Sequence, residues 1–158
     1  MERVNRIWNH PQYQENFRLL LSMEADRKFC RHGLPHCLDV ARLTCLYEWE
    51  AGRRPEKELI YAAALLHDLG RGREYRDQVP HEQASIEQAE KILPDCGYST
   101  EEQKQILEWI GSHRGRQKRD GTAASFYRAD KESRNCFACP AESECHWADE
   151  KKNKGILG

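Results

Sequence analysis

The sequence predicts an all-α protein, a bundle of about six helices followed by a cysteine-containing tail. Apolar residues recur at helical intervals along most of the chain, and no alternating strand pattern persists. Proline stands where helices would begin (Pro35, Pro80) and glycine where they would end (Gly52, Gly70), which is the asymmetry expected of helix termini. The length of 158 residues is comfortable for one domain and small for two.

The first three helices have clear signals. An apolar face predicts a helix over residues 11–27. The second helix begins at Pro35, where the missing N–H costs nothing, and ends at Gly52. The third covers residues 55–69, and Gly70 stops it. Its centre reads AAALL, which is apolar on every side, so we expect this helix to lie in the middle of the bundle.

The next three helices are shorter or more polar. Pro80 starts the fourth, which runs through residue 93. Ser99 or Thr100, followed by two glutamates, is a helix-start signal, and the fifth helix runs from there to about Ser112. The sixth covers residues 123–133.

The segments between and after these helices are polar. Residues 71–79 show no periodicity and are predicted to be a loop, and residues 114–121 are predicted to be a basic, exposed loop. We expect a single domain with a helical core over residues 1–134 and a cysteine-rich tail over residues 135–158 that packs on it. The end of that tail, residues 151–158, is expected to be frayed.

Composition excludes several classes of function. Lys plus Arg is 25 and Asp plus Glu is 26, a net charge of −1, which argues against bulk nucleic-acid binding. No apolar run is long enough to span a membrane, and the N-terminus lacks a secretory signal. Seven cysteines without an export signal indicate reduced thiols or metal ligands. We therefore expect a cytoplasmic protein; oligomerisation stays open.

Five helices carry a histidine or an acid on an apolar face near one end. These residues are His36, His67 with Asp68, His81, His113 and Asp130. One such histidine is usually a buried side chain bonded to a backbone carbonyl, but five coincidences are hard to accept. Asp68 follows five apolar residues at a helix C-terminus, where the macrodipole disfavours negative charge. A carboxylate buried there needs a cation.

The donor set indicates which cation. Four histidines and two aspartates are too many ligands for one ion with open positions, and they suit two ions bridged by one carboxylate. Mixed nitrogen and oxygen ligation favours Fe, Mn, Co or Zn and disfavours Ca. The sequence therefore predicts two divalent transition-metal ions.

These residues resemble the HD-domain superfamily, which is named for an adjacent His-Asp pair and is known for metal-dependent phosphohydrolases with a helical core. The pattern of an early His, the pair and a late Asp matches His36 in HCLDVAR, His67-Asp68 in AALLHDLGR and Asp130 in YRADKESR, within residues 30–134. Two-metal members add two histidines, which here would be His81 and His113. The resemblance implies that His36, His67, Asp68 and Asp130 hold one metal, and that Asp68, as the bridge, His81 and His113 hold the other.

The resemblance also implies a reaction. A metal-activated hydroxide would cleave a phosphate ester of a nucleotide or related small molecule, with His67, Asp68, Arg71 and Arg114 in catalytic roles. Many members have Lys where this chain has Arg71. The signatures of the cyclic-di-GMP and guanosine-tetraphosphate branches are absent, which disfavours those substrates. Arg71, Arg73, Arg114 and Arg116 flank the ends of the ligand helices, and all four could hold phosphate by forked hydrogen bonds or belong to solvated loops.

Two other functions stay open. Some proteins with this fold use the same ligand set to hold two irons and activate oxygen on a diol or phosphonate. A third hypothesis is a non-catalytic regulator that binds metal and nucleotide. The ligand residues alone do not separate these alternatives.

The cysteine tail is a separate signal. Cys136 and Cys139 form a Cys-x2-Cys pair followed by Cys145, and Cys30 would complete a set of four if the tail folds back over that region. The set could hold structural zinc or an iron–sulfur cluster, or the cysteines could be free thiols. Glu82, next to His81, could orient that histidine, although a surface position is the plainer interpretation.

Overall fold

A computed structural model describes residues 1–114 and 118–156, and within these ranges the protein is all-helical, which confirms the predicted fold class. The described part holds eight α-helices: α1 (Glu2–Asn9), α2 (Pro11–Met23), α3 (Leu34–Glu50), α4 (Lys57–Leu66), α5 (Arg71–Asp77), α6 (His81–Asp95), α7 (Thr100–Ser112) and α8 (Gly121–Glu132). Three 3-10 turns follow, at Cys136–Ala138, Glu142–Glu144 and Asp149–Lys151. The sequence-predicted bounds of α3, α6, α7 and α8 agree with these to within two residues.

Helix α4 lies in the middle of the bundle, as its sequence predicts, and contacts α1, α3, α6 and α7. Leu59, Ile60 and residues 62–66 are all buried. Successive side chains on a helix point about 100° apart, so an unbroken apolar run must be covered on every side. Burying each large aliphatic side chain contributes about 1.5–3 kcal/mol relative to leaving it exposed.

The prediction of about six helices misses α1. This helix is only eight residues long, and its inward face consists of Val4 and Ile7. Much of its attachment is ionic, because Arg3 donates to Glu58 on α4 at 2.8 Å and to Glu102 on α7 at 2.7 Å. A pattern of two apolar residues is too short for periodicity to detect.

The loop predicted over residues 71–79 is wrong, because most of it forms α5. The only buried residue of α5 is Gly72, and a Cβ there would lie 2.9 Å from Leu19 Cγ. A glycine facing α2 gives no hydrophobic signal, although it allows the two helices to approach closely. An ion pair between Arg71 and Glu74 at 3.4 Å supports the helix from outside.

Two predicted helices end earlier than expected. The helix predicted over residues 11–27 ends at Met23, because the buried side chain of Glu24 turns to bind the loop before α3. The helix predicted to reach residue 69 ends at Leu66, with His67 as its C-cap residue. After His67 the helical hydrogen bonds give way to tighter turns, in which the N–H of Leu69 donates to the carbonyl of Leu66 at 3.2 Å and the N–H of Arg71 to that of Asp68 at 3.0 Å.

Gly70 determines how closely α6 approaches the end of α4. Its N–H donates to Ser85 Oγ at 2.9 Å, and that hydroxyl donates to the carbonyl of His67 at 2.8 Å. A Cβ at Gly70 would lie 2.3 Å from the carbonyl oxygen of His81. A glycine is therefore required to place His81 beside His67.

Part of the segment predicted to be frayed, residues 151–158, is held by hydrogen bonds at Asn153, and residues 157–158 lie outside the described residues. The N–H of Phe137 donates to the carbonyl of Asn153 at 3.0 Å, and the Asn153 side-chain amide donates to the carbonyl of Glu132 at 2.9 Å. The division into a core and a cysteine-rich tail stays a prediction. Across the described residues, no helix is both long and apolar enough to cross a membrane.

Candidate metal centre

Six candidate ligands from five helices converge at one place, which we name the His–Asp centre. It consists of His36 in the first turn of α3, His67 and Asp68 at the end of α4, His81 at the start of α6, His113 at the end of α7 and Asp130 in the last turn of α8. None is more than 6% exposed. The structure thus brings together all six residues that the sequence singles out.

Asp68 divides its two carboxylate oxygens between two groups of histidines. Its Oδ2 lies 3.3 Å from His36 Nε2 and 3.1 Å from His67 Nε2. Its Oδ1 lies 3.4 Å from His81 Nε2 and 3.9 Å from His113 Nε2. One carboxylate therefore faces two sites at once, which is the geometry of a bridging ligand.

Asp130 belongs to the first of these groups. Its Oδ1 lies 3.4 Å from His36 Nε2 and 3.7 Å from His67 Nε2. Ligand atoms of these residues and Asp68 all lie within 4.8 Å of one another, and so do those of Asp68, His81 and His113. The first group offers four donors and the second offers three.

Hydrogen bonds on the far side of each ring orient two of the histidines. Nδ1 of His67 donates to the carbonyl of Ala64 at 2.8 Å, and Nδ1 of His113 donates to the carbonyl of Ile110. These bonds place the proton on Nδ1 and leave the lone pair of Nε2 facing the centre.

The other two histidines are oriented by side chains. Nδ1 of His81 donates to the carboxylate of Glu74, with both oxygens at 3.1 Å. Nδ1 of His36 lies 3.0 Å from Ser133 Oγ, whose own proton is given to the carbonyl of Asp130 at 2.9 Å. The hydroxyl therefore accepts from His36, so all four rings turn Nε2 inward.

The inward-facing atoms require positive charge between them. Nε2 of His36 lies 3.3 Å from that of His67, and Nε2 of His81 lies 3.0 Å from that of His113. When both rings of a pair are neutral and protonated on Nδ1, two lone pairs are in contact, and a proton or a metal ion between them would relieve this contact. The buried Oδ2 of Asp68 also has no hydrogen-bond partner among the described residues. Imidazole and carboxylate donors arranged in this way fit divalent transition-metal ions.

The charges at the centre are consistent with that fit. Burial alone would raise the pKa of Asp68 and of Asp130, but the charge of Arg71 foremost at Asp68, and hydrogen bonds from His36 and His67 foremost at Asp130, hold both pKa values well below their ordinary range. Burial lowers the pKa of His67, yet the two carboxylates outweigh it and raise that pKa to about 9. Burial, with the charge of His67, lowers the pKa of His113 to about 4. The carboxylates are thus ionised and attract a cation.

Two of the four arginines considered in the sequence contact the centre. Arg71 Nε donates to Asp68 Oδ1 at 2.7 Å, and Arg114 Nη1 lies 3.2 Å from His81 Nδ1. Arg73 instead pairs with Glu87 at 2.7 Å, away from the centre. Arg116 lies outside the described residues.

Arg114 is half exposed, and its guanidinium pairs with two carboxylates near His81. It lies 3.2 Å from Glu74 Oε1 and 3.3 Å from Glu82 Oε2. Glu82 Oε2 is in turn 3.5 Å from His81 Nδ1. Glu82 therefore lies beside a candidate ligand, closer to the His–Asp centre than the surface position that its sequence suggested.

Sequence reasoning missed Arg134, which enters the centre from the end of α8. Its Nη2 lies 2.8 Å from His36 Nε2 and 3.8 Å from Asp68 Oδ2, and its Nη1 donates to the carbonyl of Arg31 at 2.8 Å. The signal available in the sequence was its spacing, since a residue four places after Asp130 lies on the same helical face.

A buried His32–Glu24 pair also lies beside the centre and was missed. The N–H of His32 donates to Glu24 Oε2 at 2.8 Å, and Nε2 of His32 is 3.9 Å from Asp68 Oδ2. Burial lowers the pKa of His32 to about 3. His32 precedes the first residue of α3, so helical spacing could not relate it to His36.

The fold and the site define a class, an all-helical protein with a candidate dinuclear His/Asp metal site. The HD domain family model matches residues 33–141, and the chain belongs to this family. It is 42% identical over 153 residues to an uncharacterized protein of Clostridium beijerinckii, with 97% of each chain covered. It also resembles the crystal structure of a predicted HD superfamily hydrolase from an uncultured Thermotogales bacterium, with a TM-score of 0.62 and 20% identity over 89% of this chain and 81% of that chain. Because the identity is only 20%, the similarity to the Thermotogales structure shows a shared fold alone.

Proposed function

We propose that this protein is a metal-dependent phosphohydrolase that cleaves a phosphate ester of a nucleotide or a related small molecule. The observation that carries the proposal is the division of Asp68, which turns one oxygen to each of two histidine groups. Membership of the HD domain family is consistent with this chemistry.

The distances to the two oxygens of Asp68 divide the candidate ligands into two groups, and each group would hold one metal ion. His36, His67, Asp68 and Asp130 would hold one ion, and Asp68, His81 and His113 would hold the other. Two such ions, when bound, supply Lewis acidity and a nucleophile at neutral pH. Fe, Mn, Co and Zn are the candidates for this donor set.

Cationic side chains beside the centre would bind the phosphoryl group. Arg71 already contacts Asp68, and its side chain is 19% exposed. Arg114 is 52% exposed, and its side chain pairs with Glu74, Glu82 and His81 in the part of the chain that the structure describes. A phosphate ester would replace those carboxylates as its acceptor, with the forked geometry that guanidinium groups favour.

Lys131 supplies a third cation on another side of the centre. Its Nζ contacts the Asp130 carboxylate and lies 3.5 Å from the carbonyl of His113. A lysine at this position would neutralise phosphoryl oxygens as a point charge. The ligands themselves are buried, which favours a small ester over a polymer as the substrate.

The test is phosphate release from a panel of nucleotides and sugar phosphates in anaerobic buffer, with protein loaded with each of the four metals. We expect turnover of at least one ester without oxygen. Arg114→Ala should raise KM about tenfold with a smaller change in kcat, because one charge-assisted hydrogen bond to an exposed phosphate is removed. The matched control is Arg42→Ala, which removes an exposed arginine of α3 that pairs only with Asp39 at 3.4 Å.

Two outcomes would contradict the proposal. Oxygen consumption by the iron-loaded protein, without phosphate release, would assign it to the oxygenases. Tight nucleotide binding by the fully metallated protein without turnover of any ester would make it a binding regulator.

A further inference from the structure

Four cysteines from distant parts of the sequence line one cavity, which we name the cysteine cavity. Cys30 comes from the loop before α3, and Cys136, Cys139 and Cys145 come from the tail. The cavity has a volume of about 150 Å³. We propose that the cysteine cavity holds a [4Fe–4S] cluster ligated by these four thiolates.

Local structure explains why three tail cysteines face the same side. Cys136 opens a 3-10 turn, and the N–H of Cys139 donates back to its carbonyl at 3.1 Å. The next 3-10 turn ends at Cys145, whose N–H donates to the carbonyl of Glu142 at 3.1 Å. Two short turns in succession therefore return the chain to the same cavity. Cys30 reaches it from the core.

The spacing of the sulfurs favours a cluster over a single zinc ion. In a tetrahedral zinc site with Zn–S bonds of about 2.3 Å, the sulfurs lie about 3.8 Å apart. Among the described residues, no three cysteine sulfurs lie within 4.8 Å of one another. A four-iron cluster places one iron at each of four corners, so its thiolates are held farther apart around a volume that the cluster fills.

Charge around the cavity is complementary to a cluster. Four cysteines line this one cavity, and as thiolates they would repel one another, so bound cations would have to lie between them. Arg134, Lys152 and Glu142 also line the cavity, and Lys152 pairs with Glu142 at 2.8 Å, so the guanidinium of Arg134 would balance part of the net negative charge of a thiolate-ligated cluster.

Arg134 connects the cysteine cavity to the His–Asp centre, because the same side chain contacts His36 at 2.8 Å. A cluster in the cavity would hold the segment that carries Arg134. This consequence concerns the arrangement of the centre; the cluster itself does not depend on the proposed hydrolase activity.

The test is the iron and acid-labile sulfide content of the full chain, purified without oxygen and reconstituted with sulfide and equal amounts of ferrous and ferric iron, which together make the [4Fe–4S]2+ state. We expect about four sulfides per chain, the visible absorption of a four-iron cluster and, after one-electron reduction with dithionite, its electron paramagnetic resonance signal. Sulfide is the decisive readout, because iron at the His–Asp centre would bring none. Cys139→Ala should lower the sulfide content more than tenfold, and circular dichroism would verify that the helices remain.

Two further variants keep the result interpretable. Cys30→Ala, in a different segment, should remove the cluster even if the tail variant fails to fold. Cys45→Ala, which changes a buried cysteine of α3 outside the cavity, should retain all the sulfide. One zinc per chain that depends on Cys139, without sulfide, would overturn the proposal. Four free thiols after reconstitution would overturn it as well.

Discussion

Two carboxylates, Glu48 and Asp68, are each about 2% exposed, yet their surroundings are opposite. Glu48, near the end of α3, accepts hydrogen bonds at 2.6–2.9 Å from Arg53, Ser125 and Thr122. These donors satisfy both oxygens and tie α3 to α8. A carboxylate satisfied in this way contributes to the stability of the fold.

Asp68 lies among groups that are themselves acceptors. Four Nε2 atoms face it within 3.9 Å, and only Arg71 donates to it with normal geometry, at Oδ1. The Oδ2 atom is left without a hydrogen bond among the described residues. Burial alone therefore does not distinguish a structural acid from a functional one. The partners differ, because Glu48 is surrounded by hydrogen-bond donors, whereas Asp68 faces four imidazole Nε2 atoms that can bind a proton or a metal ion.

The largest expected effect is that of Asp68→Asn. We expect kcat/KM to fall more than about 100-fold and one of the two metal ions to be lost, because an amide cannot bridge two cations. Mutating a residue that only hydrogen-bonds to a metal ligand already lowers metal affinity or activity roughly 10–100-fold, and Asp68 would be a ligand itself. Metal analysis and steady-state kinetics measure this. Asp39→Asn, an exposed change on α3, is the control. Retention of two metals per chain by Asp68→Asn would contradict the bridging role.

The next effect concerns Glu74, which orients His81 without itself facing the centre. Glu74→Gln weakens the acceptor at 3.1 Å from His81 Nδ1, so affinity at the site of His81 and His113 should fall roughly 10- to 100-fold. Calorimetric metal titration would show one weakened site and one unchanged. Equal weakening of both sites would argue against two distinct metal positions.

Glu48→Gln should change the stability of the fold and leave the metal content unchanged, unlike Asp68→Asn. We expect it to lower the free energy of unfolding by about 2 kcal/mol, because the buried carboxylate loses its charged hydrogen bonds, while metal content stays the same. Urea denaturation measures the change. A comparable loss of metal in this variant would remove the distinction between the two carboxylates.

The smallest expected effect is the pH dependence of the difference in unfolding free energy between the wild type and Glu48→Gln. Hydrogen bonds from Arg53 foremost, against the opposing effect of burial, lower the pKa of Glu48 from its ordinary 4.5 to about 2. A lowered folded-state pKa stabilises the protein fully above pH 4.5, and the contribution is lost as pH falls toward 2. The gap in unfolding free energy between the wild type and Glu48→Gln should therefore shrink over this window. A gap that is constant from pH 6 to pH 3 would exclude this origin.

A helix is predicted more accurately from the sequence when its apolar face is longer. Long apolar faces predict α3, α4, α6 and α7 well, because many residues share one period. The helix α5 was predicted as a loop because its buried face is the single residue Gly72. Arg134 and His32 were missed for a related reason, since one follows a helix and the other precedes one.

The sequence by itself determined the helical class and the identity of the six candidate ligands, because a polar residue on an apolar face is visible without coordinates. Only the tertiary structure decided that Asp68 turns one oxygen to each histidine group, and that Arg134 lies between the His–Asp centre and the cysteine cavity. The physical reason is that periodicity specifies which face of a helix is buried. Distances between atoms on different helices depend on how those helices pack and on close approaches such as that of Gly70.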